Sequence, residues 1–273
     1  MKNYSKIWKS THDLDWYVLV TTGRVGSDFF QSLIDSHPEV FSFNGILDIH
    51  QFWKTAKSTN NKNHICLDDI ISEFVGQNIH KFKSIYDLQE KKDKLGENQN
   101  ESINIDLNEF KLHLNQFLKN QEISCKNFLR ATYLSWACCR KENIFEKKIF
   151  FYHLHHIWEL KPFLNDFPNS RILSMTRDPR ASYVSGVENW NKYSSATKHL
   201  SHVFFVLNRT INDANELKNF SNDFRVLKLE DLGRKSVLSS VCLWLNINYN
   251  KSMETSTWNG LRWWGDRLSQ RRI

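Results

Sequence analysis

No stretch of the 273-residue chain approaches the ~20 consecutive apolar residues of a membrane-spanning helix. Its opening, "MKNYSKIWKSTHDLDW", has no apolar centre of the kind an export signal carries. A soluble, cytoplasmic protein is therefore expected. Cysteines are few and unpatterned: Cys66, Cys125, Cys138, Cys139 and Cys242 make an odd count with no Cys-x-x-Cys spacing. They suggest neither a disulfide framework nor a zinc site, and the adjacent Cys138 and Cys139 read as small core residues of a helix. No internal repeat is present. Two nucleotide fingerprints are missing as well. A Walker A loop needs four residues between its glycines and then Lys-Ser/Thr, and a Rossmann loop needs three glycines. Neither is met.

What remains is an ordinary globular composition, with 40% hydrophobic, 25% charged and 14% aromatic residues. The length suits one substantial core. A single domain over 1–273 is expected, with a mostly helical variable insertion at about 46–140. The net charge of +7 favours an anionic partner: a nucleotide, an acidic glycan, nucleic acid or a membrane surface. A solvated lysine-rich surface would give the same balance.

Residues 16–21 read as a buried strand and "SDFFQSLIDSHP" as a helix stopped by Pro38. "VFSF" (40–43) is a second strand. Apolar residues at three-to-four spacing then continue to about Arg140, interrupted by the polar stretch 90–102, read as a flexible loop. Beyond it, strands at 147–156, 171–176 and 224–229 alternate with helices. This alternation implies a three-layer α/β/α sandwich around a mostly parallel sheet. The tail "STWNGLRWWGDRLSQRRI" is aromatic and basic without a period.

Two stretches carry chemistry. "TTGRVGSDFF" (21–30) follows the first strand and opens a helix, so its glycines and helix start suit an anion. In "RILSMTRDPRASYVS", Arg177 stands at the carboxyl end of a strand, where open α/β sheets place ligands. Asp178 suits an N-cap and Pro179 the first helical position, with Ser185 about two turns on. An arginine fork and a serine hydroxyl at a helix start form a phosphate receptor. Asp-Pro also serves as a plain capping signal, with Arg177 in a surface ion pair.

Arg177-Asp178-Pro179-Arg180 with Ser185 resembles the 3′-phosphate motif of sulfotransferases that use 3′-phosphoadenosine 5′-phosphosulfate (PAPS). "TTGRVGSDFF" resembles their 5′-phosphosulfate loop in its G-R-x-G-S/T form, as in carbohydrate, tyrosylprotein and bacterial members. "VLKLEDL" (226–232) resembles a further family segment, and the matching pieces cover about a fifth of the chain. The resemblance implies a three-layer, P-loop-like fold and no metal. It places Thr22, Gly23, Arg24, Val25, Gly26, Ser27 and Asp28 around the phosphosulfate, and Arg177 and Ser185 on the 3′-phosphate. Arg24 takes the place of the family's charge-neutralising Lys or Arg. Asp28 departs from the usual Thr or Ser and is expected to turn away or to engage Arg24 or an acceptor hydroxyl.

The family's general base is a carboxylate after the second strand or a histidine on a later one. Here Asn44-Gly45 stands where a glutamate is often found, leaving Asp48 and His50 as the nearest substitutes. On a strand over 149–155, His153 and His155 share one face. His155 is the first candidate base, with His153 and Asp48 behind it. In the tail, Trp263 or Trp264 suits base stacking and Arg262 suits the 3′-phosphate, while an aromatic cap on the core explains the same residues. The implied acceptor is a hydroxyl or amine of a carbohydrate, small metabolite or peptide, not nucleic acid. Phe52, Trp53, Phe74, Tyr133 and Trp136 either face it or fill the core. An ATP-dependent kinase with a degenerate P-loop and a non-catalytic nucleotide- or glycan-binding protein are the other readings.

Overall fold

The computed structural model describes residues 3–21, 23–59, 66–82, 95–193 and 199–265. Five strands form one parallel sheet in the order β2-β3-β1-β4-β5. They are β1 (Asp15–Val20), β2 (Val40–Ser42), β3 (Ile149–Leu154), β4 (Arg171–Thr176) and β5 (Phe224–Lys228). β3 is buried along its whole length, so its sequence is a near-continuous apolar run, as a strand covered on both faces must be.

Alternate residues of the strands feed two cores. On one face Trp16, Phe41 and Phe150 sit at paired positions of β1, β2 and β3 and stack, with ring centroids 4.4 and 4.5 Å apart. Each such pair adds roughly 0.5–1.5 kcal/mol beyond its buried area. Helices α1 (Tyr4–Ser10), α3 (Ile49–Thr59), α4 (Leu67–Asn78), α5 (Leu107–Leu118), α6 (Cys125–Cys139) and α7 (Leu160–Asp166) contribute to this core. On the other face Tyr17, Leu19, Phe151 and Leu173 meet α2 (Ser27–Ile34) and the helix Lys235–Trp244. The three layers expected from the alternation are present.

Helix starts follow their caps. Ser124 Oγ accepts from Asn127 N at 3.3 Å to open α6, and Asp106 Oδ1 accepts from Asn108 N at 2.8 Å to open α5. Cys138 is buried in α6, as its reading as core required. Phe52, Trp53, Phe74, Tyr133 and Trp136 are all buried in the larger core, which decides their role as packing. No helix among the described residues is long and apolar enough to cross a membrane.

Two expectations need correction. The stretch 90–102, read as a free loop, lies outside the described residues up to 94; the rest is pinned. Leu95 is fully buried and bridges Trp263, and Gly96 N donates to Arg262 O at 2.8 Å. The tail, read as aperiodic, forms a hairpin of β6 (Thr257–Trp258) and β7 (Leu261–Arg262). The hairpin is local, but the pinning of residues 95–96 joins segments far apart in the chain. Helix α1 was not anticipated, and residues 266–273 lie outside the described residues.

Candidate active site

The sheet brings the carboxyl ends of its three central strands, β3, β1 and β4, side by side. Val20 pairs with Leu154, and Thr21 N continues the ladder to Leu154 O at 3.1 Å. Beyond this point the chain leaves β1 through a turn of unusual backbone, with φ of 42° at Gly23, 60° at Arg24 and 90° at Gly26. Gly26 caps α2 in the left-handed region, and a Cβ built there would lie 2.4 Å from Leu229 Cδ1. Conformation and space both demand glycine. Val25 is fully buried and anchors the turn, while Ser27 and Asp28 occupy the first turn of α2. The first N–H groups of a helix have no intrahelical acceptor and carry its positive end, so this turn has the chemistry of an anion cradle. Thr22 lies outside the described residues.

After β4, Asp178 opens α8 (Pro179–Tyr193) as the spacing predicted. Its Oδ1 accepts from Arg180 N at 2.9 Å and its carbonyl from Ser182 N at 2.9 Å. Arg180 pairs with Asp178 at 2.6 Å and is exposed; this hydrogen-bonded arginine holds the Asp178 carboxyl well below its ordinary range. Asp178 N donates to Glu230 Oε1 at 2.9 Å, so the "VLKLEDL" segment also closes on the site.

The two motifs touch. Arg24 donates to Ser185 Oγ from Nη2 at 2.9 Å and from Nε at 3.3 Å. Arg177 Nη1 donates to Arg24 O at 3.4 Å, and Ser182 Oγ to the same carbonyl at 3.3 Å. A Ser185 hydroxyl that accepts from Arg24 retains its own proton for donation to a further acceptor. Ser182, buried and three residues before Ser185 on one helix face, was missed by the motif. Its three-residue spacing from Ser185 was the available signal.

Beside this cradle, β3 ends in histidines. His153 is buried on the α2 face with Nδ1 3.0 Å from Gln31 Oε1. Gln31 Nε2 donates to the Phe43 carbonyl, which can only accept, so Gln31 turns its oxygen to His153 and Nδ1 carries the proton. The lone pair then resides on Nε2, the form a general base needs. The strand ends at Leu154, so His155 lies just beyond it, half-buried, its ring 5.2 Å from that of His153. Asp48 is exposed at the start of α3, where its carbonyl accepts from Phe52 N at 2.9 Å. His50 is engaged by Asp166 at 3.1 Å. Asn44 is buried and donates to the hairpin at Asn259 Oδ1 and the Thr257 carbonyl.

Glu159 was not anticipated. Its carboxylate accepts from His156 N at 3.2 Å, and burial together with the Asp48 charge pushes its pKa from 4.5 up to about 7. Burial lowers the neighbouring His156. Arg262 binds Glu97 at 3.1 Å and lies 3.8 Å over Trp264, so reaching a phosphate would require that pair to open. Trp263 is buried against Trp258, the core-capping alternative.

No protein-family model and no curated protein matches the chain. Among the solved structures that resemble it are two sulfotransferase domains. The "Sulfotransferase Domain from the Synechococcus PCC 7002 Olefin Synthase" is 13% identical with a TM-score of 0.48. The "Sulfotransferase Domain from the Curacin Biosynthetic Pathway" is 16% identical with a TM-score of 0.49. Each comparison covers 88% of this chain and 76% of the other. At values this low the likenesses decide nothing about chemistry. The residues of the site must carry the reading.

Proposed function

We propose that the protein is a PAPS-dependent sulfotransferase, acting on a hydroxyl or amine of a carbohydrate, small metabolite or peptide. The observation that carries this reading is the convergence of Arg24, Arg177 and Ser185, which merges two anion cradles at adjacent strand ends. A nucleotide with anionic groups on both its 5′ and 3′ positions suits such a pair better than one with a single phosphate chain. The donors present fit it: a helix start without a Cβ at Gly26, two guanidinium groups and the hydroxyls of Ser27, Ser182 and Ser185. When bound, PAPS supplies the sulfuryl group.

The chain's own residues then have distinct tasks. Gly23 to Ser27 and the start of α2 hold the 5′ anion, and the Arg24 guanidinium places positive charge where negative charge grows on the leaving oxygen. Arg177 and Ser185 grip the 3′-phosphate and set the register. His153, aligned by Gln31, or His155 beside it takes the acceptor proton; Glu159, with its raised pKa, is a further candidate base. Asp48 acts on this group through its charge.

Thermal-shift titration tests the reading. The protein should be stabilised by 3′,5′-ADP without magnesium, and clearly more than by 5′-AMP or ATP. Replacing Arg177 by Ala should remove most of that preference, a loss of about 10- to 100-fold in affinity for a charge-assisted contact. Stronger stabilisation by ATP with magnesium would overturn it and favour a kinase. Loss of turnover with retained 3′,5′-ADP affinity in His153→Ala or His155→Ala would distinguish an enzyme from a binding protein.

A further inference from the structure

On the opposite face of β3 from the cradle, three elements meet: His50 near the start of α3, Cys125 at the start of α6 and Asp166 at the end of α7. One ligand atom from each lies within 4.8 Å of the others, and all three residues are half-buried. His50 Nε2 is 3.1 Å from Asp166 Oδ2, with side-chain exposures of 12% and 28%. The geometry points to a binding site for a Zn2+-class divalent cation at this junction.

Bond lengths to zinc of about 2.0–2.3 Å place tetrahedral ligand atoms on the order of 3.3–3.6 Å apart. The His50–Asp166 separation is already close to this, so an ion needs only a small adjustment of these two and an approach by the Cys125 sulfur. Thiolate and carboxylate together supply two negative charges and a neutral imidazole none, so a divalent ion gives a neutral, half-buried group. Lys126, next to Cys125, is directed over the Phe167 ring at 5.6 Å. A mixed sulfur, nitrogen and oxygen set selects zinc or cobalt over magnesium and calcium, which require oxygen ligands. Binding exchanges the Cys125 thiol proton, released to solvent, for the bond to the ion. The fourth position is left to water.

The position suggests the consequence. His50 is two residues from Asp48, and its ring is 6.3 Å from that of Tyr152 on β3. An ion here ties the starts of α3 and α6 to α7, behind the strand that carries the histidines. This is a structural clip and does not depend on the sulfuryl-transfer reading.

The test uses the full chain, stripped of metal by a chelator and titrated with Co2+. The expected result is a thiolate-to-cobalt absorption band that saturates at one equivalent, is displaced by Zn2+, and is accompanied by a rise in Tm that Mg2+ does not give. Cys125→Ser should abolish the band, while His50→Gln or Asp166→Asn should weaken Co2+ binding by about 10-fold or more. Because Cys125→Ser could fail to fold, alkylation of the unmodified chain is mapped thiol by thiol. Co2+ should protect Cys125 and leave the exposed Cys66 reactive. Absence of a stoichiometric band, its survival in Cys125→Ser, or unprotected Cys125 would each overturn the site.

Discussion

Where β1 and β4 end, two glycines, an arginine backbone in the left-handed region and a few hydroxyls stand beside the buried Val25. The layer formed by α3 to α6 is its opposite, with Phe52, Phe74, Phe82, Phe128 and Trp136 buried and in ring-to-ring contact. One region keeps polar groups and a left-handed backbone, as the proposed site requires; the other has spent its residues on packing. On the proposed function, stability and recognition are divided across the sheet. Changes in one region should be read mainly in unfolding and changes in the other mainly in binding.

Trp136→Ala should have the largest effect. Emptying its place against Phe43 and Phe82 should cost about 3–5 kcal/mol in denaturant unfolding. A much smaller loss would break the comparison. The same substitution at two glycines sharpens it. Gly26→Ala should destabilise by about 1–3 kcal/mol, because φ is +90° and Leu229 occupies the space, and should weaken 3′,5′-ADP binding. Gly76→Ala, inside α4 with nothing within 4 Å, should instead stabilise by up to about 1 kcal/mol and leave binding alone.

A double-mutant cycle on Arg24→Ala and Ser185→Ala, read in 3′,5′-ADP affinity, should give a coupling of about 0.5–3 kcal/mol, since the two side chains are bonded. Additive effects would mean that the cradles act separately. The smallest effect concerns Glu159, whose pKa rises from 4.5 to about 7 on folding, by burial first and by Asp48 second. The folded chain holds this proton more tightly, so the contribution is full below about 4.5 and is lost as pH rises through about 7. Over that window Tm of the parent should fall relative to that of Glu159→Gln; parallel curves would reject the shift.

Much of the cradle was legible because it is local. The glycine spacing, the Asp178 cap and the Arg177-to-Ser185 interval each lie within a dozen residues. Their contact across β1 and β4 was an expectation that only the sheet order could test, and Ser182 stood unrecognised inside a motif already read. The base was harder. His153 and His155 were named, but the Gln31 bond that orients His153 comes from another helix. Asp48 emerged exposed, and Glu159 had no distinguishing neighbour in sequence.

By itself the sequence determined the alternation of strands and helices, the turn that must be glycine and the capped helix after β4, because these depend on backbone preferences over a few residues. Tertiary structure alone decided that Arg24 meets Ser185, that Arg262 is held by Glu97, and that His50, Cys125 and Asp166 share one junction. Those contacts arise when distant segments close onto the sheet, and no short-range preference of the chain encodes which side chains then face one another.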